Sequence, residues 1–367
     1  MKICILTQPL ARNYGGILQA YALQRVLRDM GHDVTTLRFP PLIYTAPSKC
    51  NLYWQTFRRF LSKLRGNKSI LFANPTRQSL YSFQINTEID RFISQNIKYL
   101  CVNAPLKSTD VPAFDAYIVG SDQVWRPAYS PCLTNFYLDF LSETCVKRFA
   151  YAASFGVDTW ETDSDTTKII RPLARQFNRI SVREETAINL CKQYLDVEAD
   201  LMPDPTLLLS GKDYLSLAFR DHSSIEKQKY IAAYILDKNA AKWSLLDKIS
   251  AKKGLPIKTI GNFNWTNGQD SIEDWLLGIA NAEYVVTDSF HGTVFSLLFH
   301  KDFLTINNVG RGSSRFNSLL GELGLMNHIV QMDSNLSWEE KPIDYDRVQA
   351  ILEIKRQQGL SFLKGIS

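Results

Sequence analysis

No apolar run in this chain approaches the roughly 18 to 20 residues needed to cross a bilayer as a helix. The opening stretch, Lys2-Ile3-Cys4-Ile5-Leu6-Thr7, reads as a strand rather than as the basic and apolar regions of a signal peptide. A cytoplasmic protein is the expectation. Cysteine is scarce and scattered: Cys4, Cys50, Cys101, Cys132, Cys145 and Cys191 include no Cys-x-x-Cys pair, and no histidine lies at the spacing of a zinc site. No metal centre is expected, and the thiols should be reduced, several of them in the core. The excess of basic residues is small, a net charge of +5 spread over most of the chain, so nucleic-acid binding is not indicated. The Gly-x-Gly-x-x-Gly fingerprint is missing, and the strand Thr36-Leu37-Arg38-Phe39 lacks an acidic residue at its end, which disfavours a nicotinamide cofactor. Internal repeats and low-complexity segments are missing too.

What is present suffices for a compact protein of two domains: 367 residues, 45% hydrophobic and 22% charged. The first half alternates strand and helix signals. Strands are predicted over 3–7, 34–39, 116–120, 148–154 and 179–182, with a helix over 16–30 after the first of them. The run from 40 to about 113 is helical in pattern with irregular turns and reads as an insertion or cap. Two prolines in Pro203-Asp204-Pro205 punctuate the chain, and a domain junction is placed near residue 210. A second series follows, with strands predicted over 230–236, 256–260, 284–288 and 303–306 and helices over 240–253, 271–280 and 293–299. A last helix, about 344–359, is expected to pack back on the first domain. Two such α/β domains with mostly parallel sheets would face each other across a cleft lined by the carboxyl ends of their strands, where ligands bind.

The most informative of those ends is Tyr284-Val285-Val286-Thr287-Asp288-Ser289-Phe290-His291-Gly292-Thr293, a buried strand running into polar residues and a glycine before an apolar helix. The free N–H groups of that helix's first turn are suited to an anion. His291 is the candidate catalytic group, with Gly292 keeping the backbone beside it open; the alternative is a histidine that bonds a neighbouring loop and only fixes the turn. The turn Asn13-Tyr14-Gly15-Gly16 after the first strand could receive an anion or sugar hydroxyls, or serve only as a tight turn. At Gly120-Ser121-Asp122-Gln123-Val124-Trp125, Asp122 and Gln123 should face the cleft, and Trp125 is either a sugar-stacking surface or a core residue. Arg183 ends a strand, and Arg311 and Arg315 lie in the loop Gly310-Arg311-Gly312-Ser313-Ser314-Arg315; guanidinium forks suit phosphate or carboxylate, and the loop reads as an anion clamp, although each arginine taken singly reads as a surface or ion-pair residue. Asn262-Phe263-Asn264-Trp265 carries amide and aromatic groups of the kind that read sugars. Over 53–68, Trp54, Phe57, Leu61 and Leu64 recur at helical spacing beside Arg58, Arg59, Lys63, Arg65 and Lys68. That pattern fits either a helix on an anionic membrane surface or an ordinary domain helix.

Taken together, Asn13-Tyr14-Gly15-Gly16 with Leu18-Gln19, Val119-Gly120-Ser121-Asp122-Gln123-Val124-Trp125, Ala152-Ala153-Ser154-Phe155-Gly156, Ser181-Val182-Arg183-Glu184, Asp204-Pro205-Thr206 and Thr287-Asp288-Ser289-Phe290-His291-Gly292 span nearly the whole chain. As a set they resemble the polysaccharide pyruvyl transferase family. The resemblance implies two Rossmann-like domains arranged as in GT-B glycosyltransferases, residues 1–210 on the acceptor side, 211–343 on the donor side and 344–367 as the returning helix. It implies that pyruvate moves from phosphoenolpyruvate, the donor substrate, to a sugar of a surface or capsular polysaccharide precursor as a cyclic ketal, with no cofactor. His291 matches the family's functional histidine. Arg183, Ser289, Gly292, Thr293, Arg311 and Arg315 are expected on the donor, and Asn13, Tyr14, Gly15, Asp122 and Gln123 on the acceptor. Members with established activity often carry arginine two residues before the histidine, where this chain has Ser289. A lipid-linked acceptor would give the basic segment near Arg58 a purpose at the inner membrane face. The rival readings are a glycosyltransferase using a nucleotide sugar and a non-catalytic, glycan-binding member.

Overall fold

The computed structural model describes residues 1–40, 87–141, 146–219, 229–264, 268–308, 310, 312–332 and 341–366. Fourteen strands and ten α-helices form among them. The strands are β1 (Lys2–Leu6), β2 (Asp33–Arg38), β3 (Tyr99–Cys101), β4 (Ala116–Val119), β5 (Lys147–Ala153), β6 (Arg179–Val182), β7 (Asp200–Leu201), β8 (Ile231–Tyr234), β9 (Ile257–Thr259), β10 (Phe263–Asn264), β11 (Gly268–Gln269), β12 (Tyr284–Thr287), β13 (Asp302–Ile306) and β14 (Ile329–Val330). The helices are α1 (Tyr14–Asp29), α2 (Thr87–Asn96), α3 (Ser164–Ala174), α4 (Glu185–Leu190), α5 (Gly211–Ala218), α6 (Ala240–Lys253), α7 (Ile272–Ala280), α8 (Phe290–Leu298), α9 (Ser314–Glu322) and α10 (Tyr345–Lys364).

Strands β10 and β11 form a separate antiparallel pair, and the other twelve of the fourteen sort into two open sheets. The first has seven strands in the order β3-β2-β1-β4-β5-β6-β7, the second five in the order β14-β13-β12-β8-β9, and every neighbouring pair in both is parallel. Parallel strands covered on both faces must be apolar on both faces. Accordingly β4, β8 and β12 are buried along their whole length, and β1 from Ile3 onward. The first order is the doubly wound 3-2-1-4-5-6 pattern with one more strand. The second, counted within its own sheet, is 2-1-3-4-5. In each, strand order reverses at one point, β1/β4 and β8/β12 respectively, and such points leave a crevice at the strands' carboxyl ends.

The chain is thus α/β with two parallel sheets, and an apolar core joins them. One continuous cluster runs from Ile17 and Leu18 on α1 through Leu207 and Leu208 to Trp275 on α7 and Phe295 on α8. Helix α10 returns to the first sheet: the Phe362 ring meets Tyr151 edge-on at 5.6 Å and lies under Arg179, while Arg356 donates to the Leu207 and Leu209 carbonyls at 3.2 Å. It extends to Lys364, a turn and more past the predicted end. A long apolar stripe on this helix continues through Phe362 and Leu363, both buried.

Two boundaries differ from the sequence reading in ways that matter. The helix predicted from Thr293 begins at Phe290, because Ser289 caps it by accepting from the Gly292 N–H at 3.4 Å. His291 is therefore a first-turn helical residue. The stretch read as a glycine- and serine-rich loop ends earlier than predicted, since α9 starts at Ser314, so Arg315 also projects from a helix. The amphipathic segment 53–68 and most of the predicted insertion lie outside the described residues. Among the described residues no helix is long and apolar enough to cross a membrane.

Candidate active site at the junction of the sheets

The carboxyl ends of β1, β4, β6 and β12 and the turn after β7 meet around His291. Gly15, in the first turn of α1, lies so close to the imidazole that a Cβ at this position would overlap the ring. Glycine is required here by contact between the two units, not by the tight turn alone. His291 is 5% exposed, and its Nε2 lies 3.6 Å from Asp204 Oδ2, beyond hydrogen-bond length and without another hydrogen-bond partner.

Asp204 is held from the opposite side. It caps the short helix Pro205–Leu208, its Oδ1 accepting from Thr206 N at 3.0 Å and Thr206 Oγ1 at 2.7 Å. Its Oδ2 accepts from Arg183 Nη1 at 2.6 Å, and the other arm of that guanidinium, Nη2, donates to Asp122 Oδ1 at 3.2 Å. Arg183 thus clamps two buried carboxylates, the charge-paired arrangement that makes buried ions tolerable. Burial alone would raise the Asp204 carboxyl, but His291, Arg183 and the Thr206 N–H outweigh it and hold this group well below the usual carboxylate range. Asp122 behaves alike: burial opposes ionisation, and Arg183, His291 and Arg315 overcome it, so its value is lowered. For Arg183, burial disfavours the charge while Asp204, Asp122 and Glu184 more than restore it.

Asp122 sits with φ 66°, in the left-handed region that aspartate tolerates better than most residues, its carbonyl accepting from Val124 N and Ser154 N. This fixes its carboxylate toward Asn13, whose exposed side chain donates to Oδ2 at 3.4 Å. Phe290 forms the floor beside His291. Arg183 and Arg315 lie over its ring at 5.0 and 5.5 Å from the centroid. Arg315 is buried as well, and burial followed by the like charge of Arg183 brings its guanidinium down to about 10, against the pull of Asp122 and Glu184.

Several expected site residues take other roles. Tyr14 does not face an acceptor: it is wholly buried, stacked on Trp275 at 5.3 Å, and donates to the Asp270 carbonyl at 2.6 Å, tying α1 to the second unit. Trp125 is core, stacked on Tyr137 at 5.2 Å with its Nε1 donating to the Phe136 carbonyl at 3.0 Å. Gly292 is glycine because a Cβ there would overlap Thr287 Oγ1, a packing demand rather than access for a ligand. The Thr293 hydroxyl is used internally, sharing a hydrogen bond with Thr305 Oγ1 at 2.8 Å and donating to the Ser289 carbonyl at 3.3 Å. Thr287 donates to the Tyr234 carbonyl, and Asp288 accepts from Leu236 N, Asp237 N and Lys242 Nζ at 2.6, 3.1 and 2.6 Å. Much of the polarity that marked this junction in the sequence therefore serves the fold. Gln123 is buried, its Oε1 accepting from Arg126 Nη1 at 3.2 Å. Asn262 donates its amide to Thr259, and Trp265 and Arg311 lie outside the described residues.

The sequence reading assigned no role to Asp204, Phe290 or Arg126. The signal for Asp204 was present in Asp-Pro-Thr, a capping pattern, but nothing local says that the same carboxylate reaches His291 and Arg183. Among the described residues no group of three or more His, Cys, Asp or Glu side chains is placed to hold a metal ion.

The cluster of one histidine, two clamped carboxylates and two arginines is built from five separate segments of the chain. The model of the family Polysaccharide pyruvyl transferase matches residues 13–309, from the turn beside His291 through β13. The chain belongs to the polysaccharide pyruvyl transferase family. Membership supports a transferase of the kind that modifies polysaccharides, and the family implies a glycan acceptor. No curated protein matches it. Among solved structures it is similar to the UDP-GlcNAc 2-epimerase of Methanocaldococcus jannaschii at 12% identity, covering 97% of this chain and 93% of that one, with a TM-score of 0.47. It is also similar to Medicago truncatula UGT71G1 complexed with UDP-glucose, at 10% identity over 100% and 98% of the two chains, TM-score 0.46. E. coli heptosyltransferase WaaC with ADP matches at 13% identity over 97% and 100%, TM-score 0.38. Likenesses this distant carry no argument about the activity of this chain.

Proposed function

We propose that this protein transfers pyruvate from phosphoenolpyruvate to a sugar of a surface polysaccharide precursor, closing a cyclic ketal and releasing phosphate. The observation that carries the reading is the His291 cluster: an imidazole with an unpartnered Nε2, an aspartate aimed at it, and two buried guanidinium groups flanking one aromatic floor. A donor bearing a phosphate and a carboxylate calls for such cations. Arg183 is held by Asp204 and Asp122, and Arg315, buried beside it over Phe290, is assigned as the main anion contact. It lies over Phe290, next to position 289, and there takes the place of the arginine that many family members carry two residues before the histidine. Ser289 then serves as helix cap alone.

In this scheme a proton is delivered to the methylene carbon of the donor while an acceptor hydroxyl oxygen bonds to the central carbon. The bond from that carbon to the phosphate oxygen breaks, phosphate leaves, and a second hydroxyl closes the ketal. Of the two hydroxyl protons released, one ends on the new methyl group and the other on phosphate. His291 exchanges these protons, since imidazole does so near neutral pH, with Asp204 orienting the ring. Asn13, whose exposed side chain donates to the buried Asp122, faces the acceptor.

Titration calorimetry with phosphoenolpyruvate, and separately with a panel of nucleotide sugars, tests the donor. Binding of phosphoenolpyruvate that is weakened at least about tenfold by Arg315→Ala, a loss typical of a charged hydrogen bond, supports the reading. Binding of a nucleotide sugar instead moves the assignment to glycosyl transfer, and silence from both leaves the glycan-binding role.

A further inference from the structure

One buried acid beside this cluster has no part in the scheme above. Glu184 follows Arg183 at the end of β6, is fully buried, and occupies the cap position of α4 without capping it. Its side chain turns instead to the end of β5, where Oε1 accepts from Ser154 Oγ at 2.8 Å, Phe155 N at 3.0 Å and Gly156 N at 3.2 Å. Oε2 has no hydrogen-bond partner among the described residues. Leaving a buried carboxylate oxygen unsatisfied is costly.

The strap that Glu184 fixes meets the backbone just ahead of α9. Gly312 has φ 97°, and a Cβ on it would overlap the Gly156 carbonyl, so the backbone leading into α9 rests directly on this strap. Arg315 leaves the first turn of α9 three residues later. Glu184 therefore braces, from the first sheet, the strap against which the backbone leading to Arg315 rests, and its charge is felt by Arg315 and by Arg183.

We propose that Glu184 is a positioning residue for the anionic donor, holding the Ser154–Gly156 strap under Arg315 and taking a proton onto Oε2 when an anion seats on Arg315. The inference rests on the reading of Arg315 as the donor contact. Burial favours the neutral acid of Glu184, while Arg183, the Ser154 hydroxyl, Arg315 and the Gly156 N–H favour the carboxylate, and the balance leaves its proton affinity raised. An anion on Arg315 cancels part of that opposition and adds a like charge, and both effects favour protonation. The groups facing Glu184 are Arg183 from its own segment, Arg315 from α9, the Ser154 and Gly156 donors after β5, and Cys191 after α4, whose thiol burial keeps protonated. Donor binding then takes up at most about one proton, and donor affinity falls by up to about tenfold per pH unit as pH rises between the free and bound proton affinities.

Calorimetric titration of phosphoenolpyruvate into the purified protein, in buffers of different ionisation enthalpy over roughly pH 5 to 8, measures this uptake. Glu184→Gln, checked for folding by circular dichroism, should still bind but lose the uptake beyond what the donor's own phosphate contributes. Ser154→Ala removes one hydrogen bond to the ionised form and should move the uptake window to higher pH. Equal uptake in the wild type and Glu184→Gln overturns the proposal and leaves the donor reading standing. Failure of the wild type to bind phosphoenolpyruvate at all overturns both. If Glu184→Gln does not fold, an unmoved window in Ser154→Ala overturns the proposal on its own.

Discussion

Asp204→Asn removes one charge from the centre of the site while keeping the side chain's shape. In the wild type Asp204 Oδ2 takes a 2.6 Å hydrogen bond from Arg183, and Oδ1 takes two from Thr206. Removing one partner of a fully buried ion pair costs about 3 to 5 kcal/mol, because the other charge is left uncompensated. Arg183 keeps Asp122 at 3.2 Å, and an asparagine carbonyl can still serve Thr206, so the lower end, about 3 kcal/mol, is expected. With a urea dependence near 3 kcal/mol per molar, that lowers the unfolding midpoint by about 1 M. The pH dependence has a definite sign. The folded-state value of Asp204 is depressed, so its contribution is complete above the unfolded value of about 3.9 and is lost as pH falls below that toward the folded one. The gap between wild type and variant should stay constant from neutral pH to about 5 and narrow below about 4. Urea denaturation followed by fluorescence at several pH values is the assay. A loss under about 0.5 kcal/mol, the size of an ordinary surface substitution, or a gap that widens on acidification, would refute the clamp described for Arg183.

Gly15→Ala should displace the His291 ring, destabilising by about 1 to 3 kcal/mol as overpacking does and abolishing turnover in excess of any loss of fold; retained turnover would show that the two groups are not in contact. Tyr14→Phe removes the hydrogen bond to the Asp270 carbonyl and should cost about 1 kcal/mol while leaving acceptor KM unchanged, and a rise in KM would return Tyr14 to the acceptor site. Thr293→Val strands the Thr305 hydroxyl, so stability should fall by about 1 to 3 kcal/mol with donor affinity unaltered, which thermal unfolding and calorimetry can check together. Because Arg315 is lowered to about 10 by burial and by Arg183, anion affinity should decline as pH rises through that value; affinity that is flat to pH 11, about one unit past it, would exclude Arg315 as the contact.

The strand positions and the turns after them were legible, because parallel strands buried on two faces announce themselves as apolar runs that stop at glycine and polar residues. His291, Arg183, Asp122 and Arg315 stood at those stops and do come together. Tyr14, Trp125, Gly292 and Thr293 stood there too and went into the core or the helix start, since a polar or aromatic residue carries no local sign of which partner awaits it. Asp204 and Glu184 were quoted only as parts of motifs. Their significance depends on contacts across β6, β7 and α8, and separation in sequence hides such contacts. Arg315 looked like a loop residue because Gly310, Gly312 and Ser313 mask a helix start whose cap, Ser313, makes no side-chain hydrogen bond.

The central claim is met most directly by running the reaction in heavy water with phosphoenolpyruvate and a lipid-linked glycan fraction, reading phosphate release and the mass of the glycan. The account predicts phosphate and a glycan bearing a pyruvate ketal whose methyl group contains one solvent deuteron, with both lost in His291→Ala of intact fold. A product that keeps the donor's methylene, or consumption of a nucleotide sugar with phosphoenolpyruvate untouched, would contradict it.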